Sequence, residues 1–313
     1  MTDIGTRTFD RGILDVAEPQ FPLELREQFP EIRTLYRRSK KLRWNPSSDI
    51  PWSEVRADDY SPEVQLAARQ WWSGRAWGEY GAISESPALQ LRYQLDDLEP
   101  DLSLYWTIRT EEEAKHAEVS ARFAELMGGY LEELPESRIV NVGGEKVSML
   151  TTRARALDAD VPVEATIGGL ILVAEQISYD VFLALIGEIR NPAAKQIFRL
   201  ICRDEIRHCE FGWEYMAKHL PGASAATKAA VRDVMVSMIE NVEFQGYRVP
   251  WLSDTPNEAQ VASERLVFEA GLGGTTPEFE WPVLSQSIGY IRDRIAPLGI
   301  ELPVFRHSIY GTA

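Results

Sequence analysis

The chain has 313 residues, 44% hydrophobic and 10% aromatic, enough to bury a large core as one big domain or a domain with embellishments. Its 33 basic residues face 48 acidic ones, a net charge of −15, which weighs against a nucleic-acid partner and against an acidic carrier protein as obligatory partner. No uninterrupted apolar run reaches the roughly 18 residues of a membrane span, and the N-terminus lacks a secretory apolar core, so no membrane association and a cytoplasmic location are expected.

In chain order, residues 1–30 read as irregular, broken by Pro19, Pro22 and Pro30. A short helix is predicted over 31–43, and its Arg37, Arg38, Lys40, Lys41 and Arg43 form the one basic cluster. A solvated helix face explains that cluster best, with a docking patch for an acidic electron donor as the alternative. A loop follows over 44–52. The first long helix starts at Ser61 as N-cap with Pro62 in its first turn, and runs past Glu79 with a kink expected at Pro87. A second spans 102–127 and stops at Gly128-Gly129. The connection over 130–161 is long and rich in Gly, Val and Thr, with room for a hairpin at Gly143-Gly144. The third helix is predicted over 162–190 and the fourth over 192–220, before Pro221-Gly222. Three more helices, over 225–247, 257–270 and 277–295, are expected outside the four. Cys202 and Cys209 lie seven residues apart on one helix, about 10 Å, too far for a disulfide. Buried thiols are expected instead. Neither a phosphate-binding loop nor a dinucleotide fingerprint is present.

Two copies of Glu-x-x-His carry the chemistry: Glu113-Ala114-Lys115-His116 and Glu205-Ile206-Arg207-His208. Residues three apart share a helix face about one turn apart, so one carboxylate and one imidazole can reach a single metal ion. A lone Glu-x-x-His is more often incidental. Two of them in long amphipathic stretches fit a four-helix bundle holding two metals, provided two other helices each add an inward Glu. Geometry nominates these. Ligands level with each other in an antiparallel pair lie equally far from the turn, and 96 is the midpoint of Glu79 and Glu113, within the acidic, proline-containing break at 96–101. The midpoint of Glu175 and Glu205 is 190, at Arg190-Asn191-Pro192. Glu175 sits among almost wholly apolar neighbours, where an unpartnered carboxylate costs several kcal/mol and a cation removes that penalty. Two hairpins joined by one long crossover give an all-α fold, a ferritin-like four-helix bundle with additional peripheral helices. The expected division is an N-terminal extension over 1–60, the bundle over 61–222, and C-terminal helices over 223–313 packed on the same domain.

Glu79, Glu113, His116, Glu175, Glu205 and His208 together resemble the ligand set of the ferritin-like di-iron carboxylate superfamily, in particular its oxygen-activating branch. That branch includes ribonucleotide reductase small subunits, acyl carrier protein desaturases, multicomponent monooxygenases and p-aminobenzoate N-oxygenases. The resemblance covers about 62–220. It implies an O2-dependent oxygenase that hydroxylates or N-oxygenates a small organic molecule, with two iron ions, manganese admitted at one position, and O2 as co-substrate. An electron donor such as a ferredoxin or flavin reductase is implied, and a homodimer is compatible. Departures narrow the choice. The radical tyrosine of the reductase subunits is replaced by Ser120, and the Val–Tyr cross-link of the ligand-binding oxidases falls on Gly81 and Leu170. The seventh ligand of many N-oxygenases falls on Ile201, which should leave an open flank at the metal held by His208. A radical-generating or manganese/iron oxidase and a ferroxidase remain as alternatives, the second disfavoured by chain length.

One His per metal among carboxylates is a hard, anionic donor set that suits iron or manganese. Glu113 and Glu205 are placed to bridge, Glu79 and Glu175 to be terminal, and Glu112 and Asp204 to orient the ring N–H of the opposite motif's His. A surface charge is an equally good account of Glu112. Spacing nominates a cavity lined by Trp72, Ala76, Ile83, Ala117, Ser120, Phe123, Ile171, Leu172, Phe182, Cys202 and Gly212, though core packing explains most of them as well. Ser178 and Tyr179, three and four residues past Glu175, are the candidate proton relay. Arg75 and Arg109, four residues before Glu79 and Glu113, fit salt bridges to Glu residues better than recognition of a substrate carboxylate.

Overall fold

The structure, a computed structural model, describes residues 26–313 except 97, 133–139, 143–144 and 148–154. Caps written in the sequence start its helices. α1 (Pro30–Lys41) begins on a proline and buries Ile32 and Leu35. α2 (Pro62–Leu95) is capped by Ser61, whose hydroxyl accepts from Val64 N at 3.4 Å, and it stays helical through Pro87. α3 (Pro100–Leu126) ends at Gly128 and Gly129, whose φ of 118° and 126° only glycine adopts without strain. Arg69 of α2 donates to the Gly129 carbonyl at 2.9 Å, which fastens the end of α3 to its partner.

The crossover holds a two-stranded antiparallel ribbon, β1 (Val140–Val142) with β2 (Glu145–Val147), pairing Val140 with Val147 and Val142 with Glu145. It sits where the hairpin was expected, although Gly143 and Gly144 lie outside the described residues. α4 (Val163–Leu185) follows, shorter than predicted because the chain turns over 186–190. α5 (Pro192–His219) is capped by Asn191, whose Oδ1 accepts from Ala193 N and Ala194 N at 3.0 Å each.

α2 and α3 pack against each other along their length, as do α4 and α5, which gives the two expected hairpins and the ferritin-like four-helix arrangement. α1 lies across α3 and α5, tied down where Gln28 N and Phe29 N both donate to Asp101 Oδ2 at 2.9 Å. Beyond the four come α6 (Ala225–Asn241), α7 (Glu258–Glu269) and α8 (Pro277–Ile295), then a small ribbon of β3 (Arg306–His307) and β4 (Gly311–Thr312). α6 stops short of the predicted 247, giving way to a 3₁₀ turn and Gly246 at φ 82°.

α4 departs from expectation twice. Its middle, Gly168–Glu175, is π-helical, which one more residue per turn than an α-helix produces. The 23 residues of α4 are also long and apolar enough to cross a membrane by length and composition, contrary to the sequence reading. The apolarity has a local cause, since most of the helix is covered by α5, α6 and α8. A Cβ on Gly169 would lie 2.7 Å from Val234 Cγ1 of α6, and one on Gly212 of α5 would lie 2.5 Å from Ile171 Cγ2, so both glycines are required by close helix approach.

Candidate metal centre

The hairpins bring the six acidic and imidazole side chains into one buried cluster. Donor atoms of Glu79, Glu113, His116 and Glu205 lie within 4.8 Å of one another, and so do those of Glu113, Glu175 and His208. His116 Nδ1 is 3.8 Å from Glu79 Oε2, 3.5 Å from Glu113 Oε2 and 3.4 Å from Glu205 Oε1. His208 Nδ1 is 3.5 Å from Glu113 Oε1, 3.5 Å from Glu175 Oε2 and 3.2 Å from Glu205 Oε2. Glu113 and Glu205 therefore each turn one oxygen to either imidazole, while Glu79 and Glu175 each serve one side. Separations slightly above 3 Å are what two donors around one ion about 2.1 Å from each would show.

The far side of each ring is held by the other hairpin. His116 Nε2 lies 3.3 Å from Asp204 Oδ2, and His208 Nε2 lies 2.9 Å from Glu112 Oε2. Each carboxylate precedes the Glu of the opposite motif, so Glu112, only 2% exposed, is no surface charge. With Nε2 engaged, Nδ1 of both rings points into the cluster. Two residues without any sequence signal complete this layer. Arg207 reaches Glu112 at 2.6 Å and Asp204 at 2.5 Å, and Trp44 Nε1 donates to Asp204 Oδ2 at 2.7 Å with its ring stacked on His116. Arg207 lies inside the second motif at the position whose side chain turns away from the cluster, and Trp44 lies in a segment read as loop.

Arginines balance the inner carboxylates. Arg75 pairs with Glu79, and Arg109 pairs with Glu175 and, at 3.1 Å, with Glu113. Burial, only partly offset by Arg75 and His116, pushes the Glu79 carboxyl up to about 7. Burial against Arg109 and His208 does the same to Glu175, also to about 7. Glu113 resists burial because Arg109 and the two imidazoles hold it well below the usual carboxylate range. Burial lowers His116, but the contact of Nε2 with Asp204 and the negative charge of nearby Glu113 overcome it and raise the ring to about 10. Four carboxylates and two imidazoles in one dry pocket thus compete for protons. Among the described residues, His116 Nδ1 and Glu175 Oε2 are buried without a hydrogen-bond partner, the state expected of donors that a cation completes. The donor set fits two hard cations.

A cavity of about 270 Å³ opens beside the cluster, with Glu79, Glu113, Glu175 and Glu205 in its wall. Ser178 and Phe182 line it as expected. Tyr179 does not. One residue further round α4, it is half-buried beside Cys202 and Cys209, both free and buried. Ile171 and Leu172 are likewise turned to Gly212, and Trp72 is buried between Phe123 and Phe198 with its Nε1 on the Leu272 carbonyl. The π segment explains the first pair, because an extra residue per turn rotates side chains ahead of Glu175 away from their α-helical phase. The wall is instead made by Trp71, Ala82, Leu170, Ala174 and Val181, together with Arg248 and Glu264 from the C-terminal region. Ile201 is fully buried in the apolar cluster that includes Trp72 and Phe123. The basic cluster of α1 is at the surface, with Arg38 and Arg43 paired to Glu210 and Glu111.

No protein-family model and no characterised protein matches the sequence. Solved structures do match. One is a tyrosine-substituted R2-like ligand-binding oxidase with anaerobically reconstituted Mn/Fe cofactor, 17% identical, TM-score 0.66, covering 84% of this chain and 93% of that one. Another is an R2-like ligand-binding oxidase with aerobically reconstituted Mn/Fe cofactor, 18% identical, TM-score 0.63, covering 84% and 92%. The likeness is one of fold, and it spans nearly the whole length of those chains: the protein has the ferritin-like fold of the R2-like oxidases.

Proposed function

We propose that the chain is an O2-dependent di-metal oxidoreductase, with Glu79, Glu113, His116, Glu175, Glu205 and His208 holding two iron ions, or manganese and iron as in the matched oxidases. The observation that carries this is the crossed arrangement of the two motifs. Each imidazole is fixed from behind by the carboxylate next to the other motif's Glu, so both Nδ1 atoms and four carboxylates converge. A bound metal pair of this kind supplies electrons and a binding place for O2. The chain's own residues do the rest. Glu113 and Glu205 would serve both metal positions, Arg75 and Arg109 steady the carboxylates, and Phe182, Leu170 and Val181 put apolar surface beside them in the cavity wall. Ser178 Oγ, in that wall, is the group we assign to hold a proton beside Glu175.

The substrate on this reading is a small organic molecule, hydroxylated or N-oxygenated, with electrons from a ferredoxin or flavin reductase. Ser120, where the reductase subunits carry their radical tyrosine, disfavours a radical-generating role. Anaerobic loading with Fe(II) followed by mixing with O2 tests the proposal. Prompt O2 consumption in proportion to bound iron, with a transient visible absorption, is expected. Iron that binds and does not consume O2 contradicts it.

A further inference from the structure

The cavity extends well beyond the metal cluster. Trp71 and Glu79 both line it, eight residues apart on α2, which is about 12 Å along the helix axis. At the Trp71 end stands Glu264 of α7, only 6% exposed. Its Oε1 accepts from Trp71 Nε1 at 3.3 Å and from Thr275 Oγ1 at 3.1 Å. Among the described residues no hydrogen bond or ion pair reaches its Oε2. The nearby cation is already engaged, for Arg248 pairs with Glu243 at 3.3 Å and with Glu280. Glu243 and Glu280 thus already occupy the guanidinium of Arg248, and Arg75, which lies over the Trp71 ring, is paired with Glu79.

A carboxylate fixed through one oxygen, with the other facing a cavity, wants a cationic N–H donor. An anionic ligand would meet Glu264 and Glu243 there. Arg75 and Arg109, also in the wall, are engaged by Glu79, Glu113 and Glu175, and Arg155 is exposed and offers a carboxylate only a solvated contact. We infer that the cavity takes a small amphiphilic amine whose ammonium sits on Glu264, with its apolar part running past Val181, Phe182 and Leu185 toward Glu79 and Glu175. The nitrogen then lies about two helical turns from the cluster. What reaches the cluster is hydrocarbon, so hydroxylation is favoured over N-oxygenation. The assignment of the reacting end rests on the di-metal reading; the amine site does not.

Titration calorimetry on the protein loaded anaerobically with Fe(II), at pH 8, with n-octylamine, n-octanol and octanoate as probes, tests the site. Octylamine should bind at least about ten-fold more tightly than the other two, and Glu264→Gln should bring it to the level of octanol. Thr275→Val removes a donor to Oε1 and leaves Oε2 in place, so the preference for the amine should persist. Octanoate binding as tightly as octylamine, no octylamine binding up to millimolar concentration, or unchanged octylamine affinity in a folded Glu264→Gln protein would each overturn the inference. Should Glu264→Gln not fold, the order of the three probes on the unaltered protein still decides. Iron content of the same preparations reads the cluster separately, so a failed amine site and a failed metal site give different results.

Discussion

The two halves of the cluster carry matching side chains on unlike supports. On one side Glu79 is paired with Arg75 of its own helix, keeps 14% of its side chain exposed, and faces a His116 whose ring is backed by Asp204 and stacked on Trp44. On the other, Glu175 rides the π segment of α4 and is bound by Arg109 reaching across from α3, an arginine only 2% exposed that also holds Glu113. A pseudo-symmetric motif thus builds a symmetric inner layer backed by matched carboxylates, Asp204 and Glu112, while Trp44 and the π segment each support only one half. Matched substitutions in the two halves should therefore have unmatched effects.

The largest difference is expected between the arginines. In the metal-free protein, Arg109→Met leaves Glu113 and Glu175 buried without their shared cation and should cost about 3–5 kcal/mol, whereas Arg75→Met, beside the more exposed Glu79, should cost well under half of that. Urea unfolding of both variants measures it, and equal losses would break the comparison. Next comes Ser178 against Tyr179. Ser178→Ala should slow turnover by about two orders of magnitude once a substrate is in hand, while Tyr179→Phe, outside the cavity, should leave it within a few-fold. Equal rates for both would assign the proton to solvent or a carboxylate. The smallest effects concern the carboxylates behind the rings. Glu112→Gln should weaken the metal held by His208, and Asp204→Asn the metal held by His116, each by about 10–100-fold. Competition with a chelator resolves the two steps, and a variant that weakens the same position as its counterpart would show that the crossing does not govern affinity.

How much of this was legible in the sequence follows the same division. Glu-x-x-His at positions 113 and 205, Pro and Gly at the helix ends, and equal distances to the turns give the bundle and the inner six side chains, because helical periodicity converts spacing directly into position. Glu112 and Asp204 were readable for the same reason, as neighbours of motif residues. Trp44 and Arg207 were not, since contact across 160 residues or from the outward face of a motif leaves no local pattern. The π segment was hidden as well. Gly168-Gly169 and the apolar run after it are compatible with either helix type, and choosing the α-helical phase turned Ile171 and Leu172 toward the cavity when they pack against Gly212. The far end of the cavity escaped entirely, because Glu264 and Arg248 reach it through tertiary folding of the C-terminal helices.

The central claim is that these six side chains form one centre for two metal ions. Metal analysis of the protein reconstituted anaerobically with Fe(II) and freed of loose iron tests it most directly, alongside His116→Ala and His208→Ala. Two ions per chain in the unaltered protein and no more than one in either variant is the predicted result. Well under two ions in the unaltered protein, or an undiminished count after loss of either histidine, would contradict it.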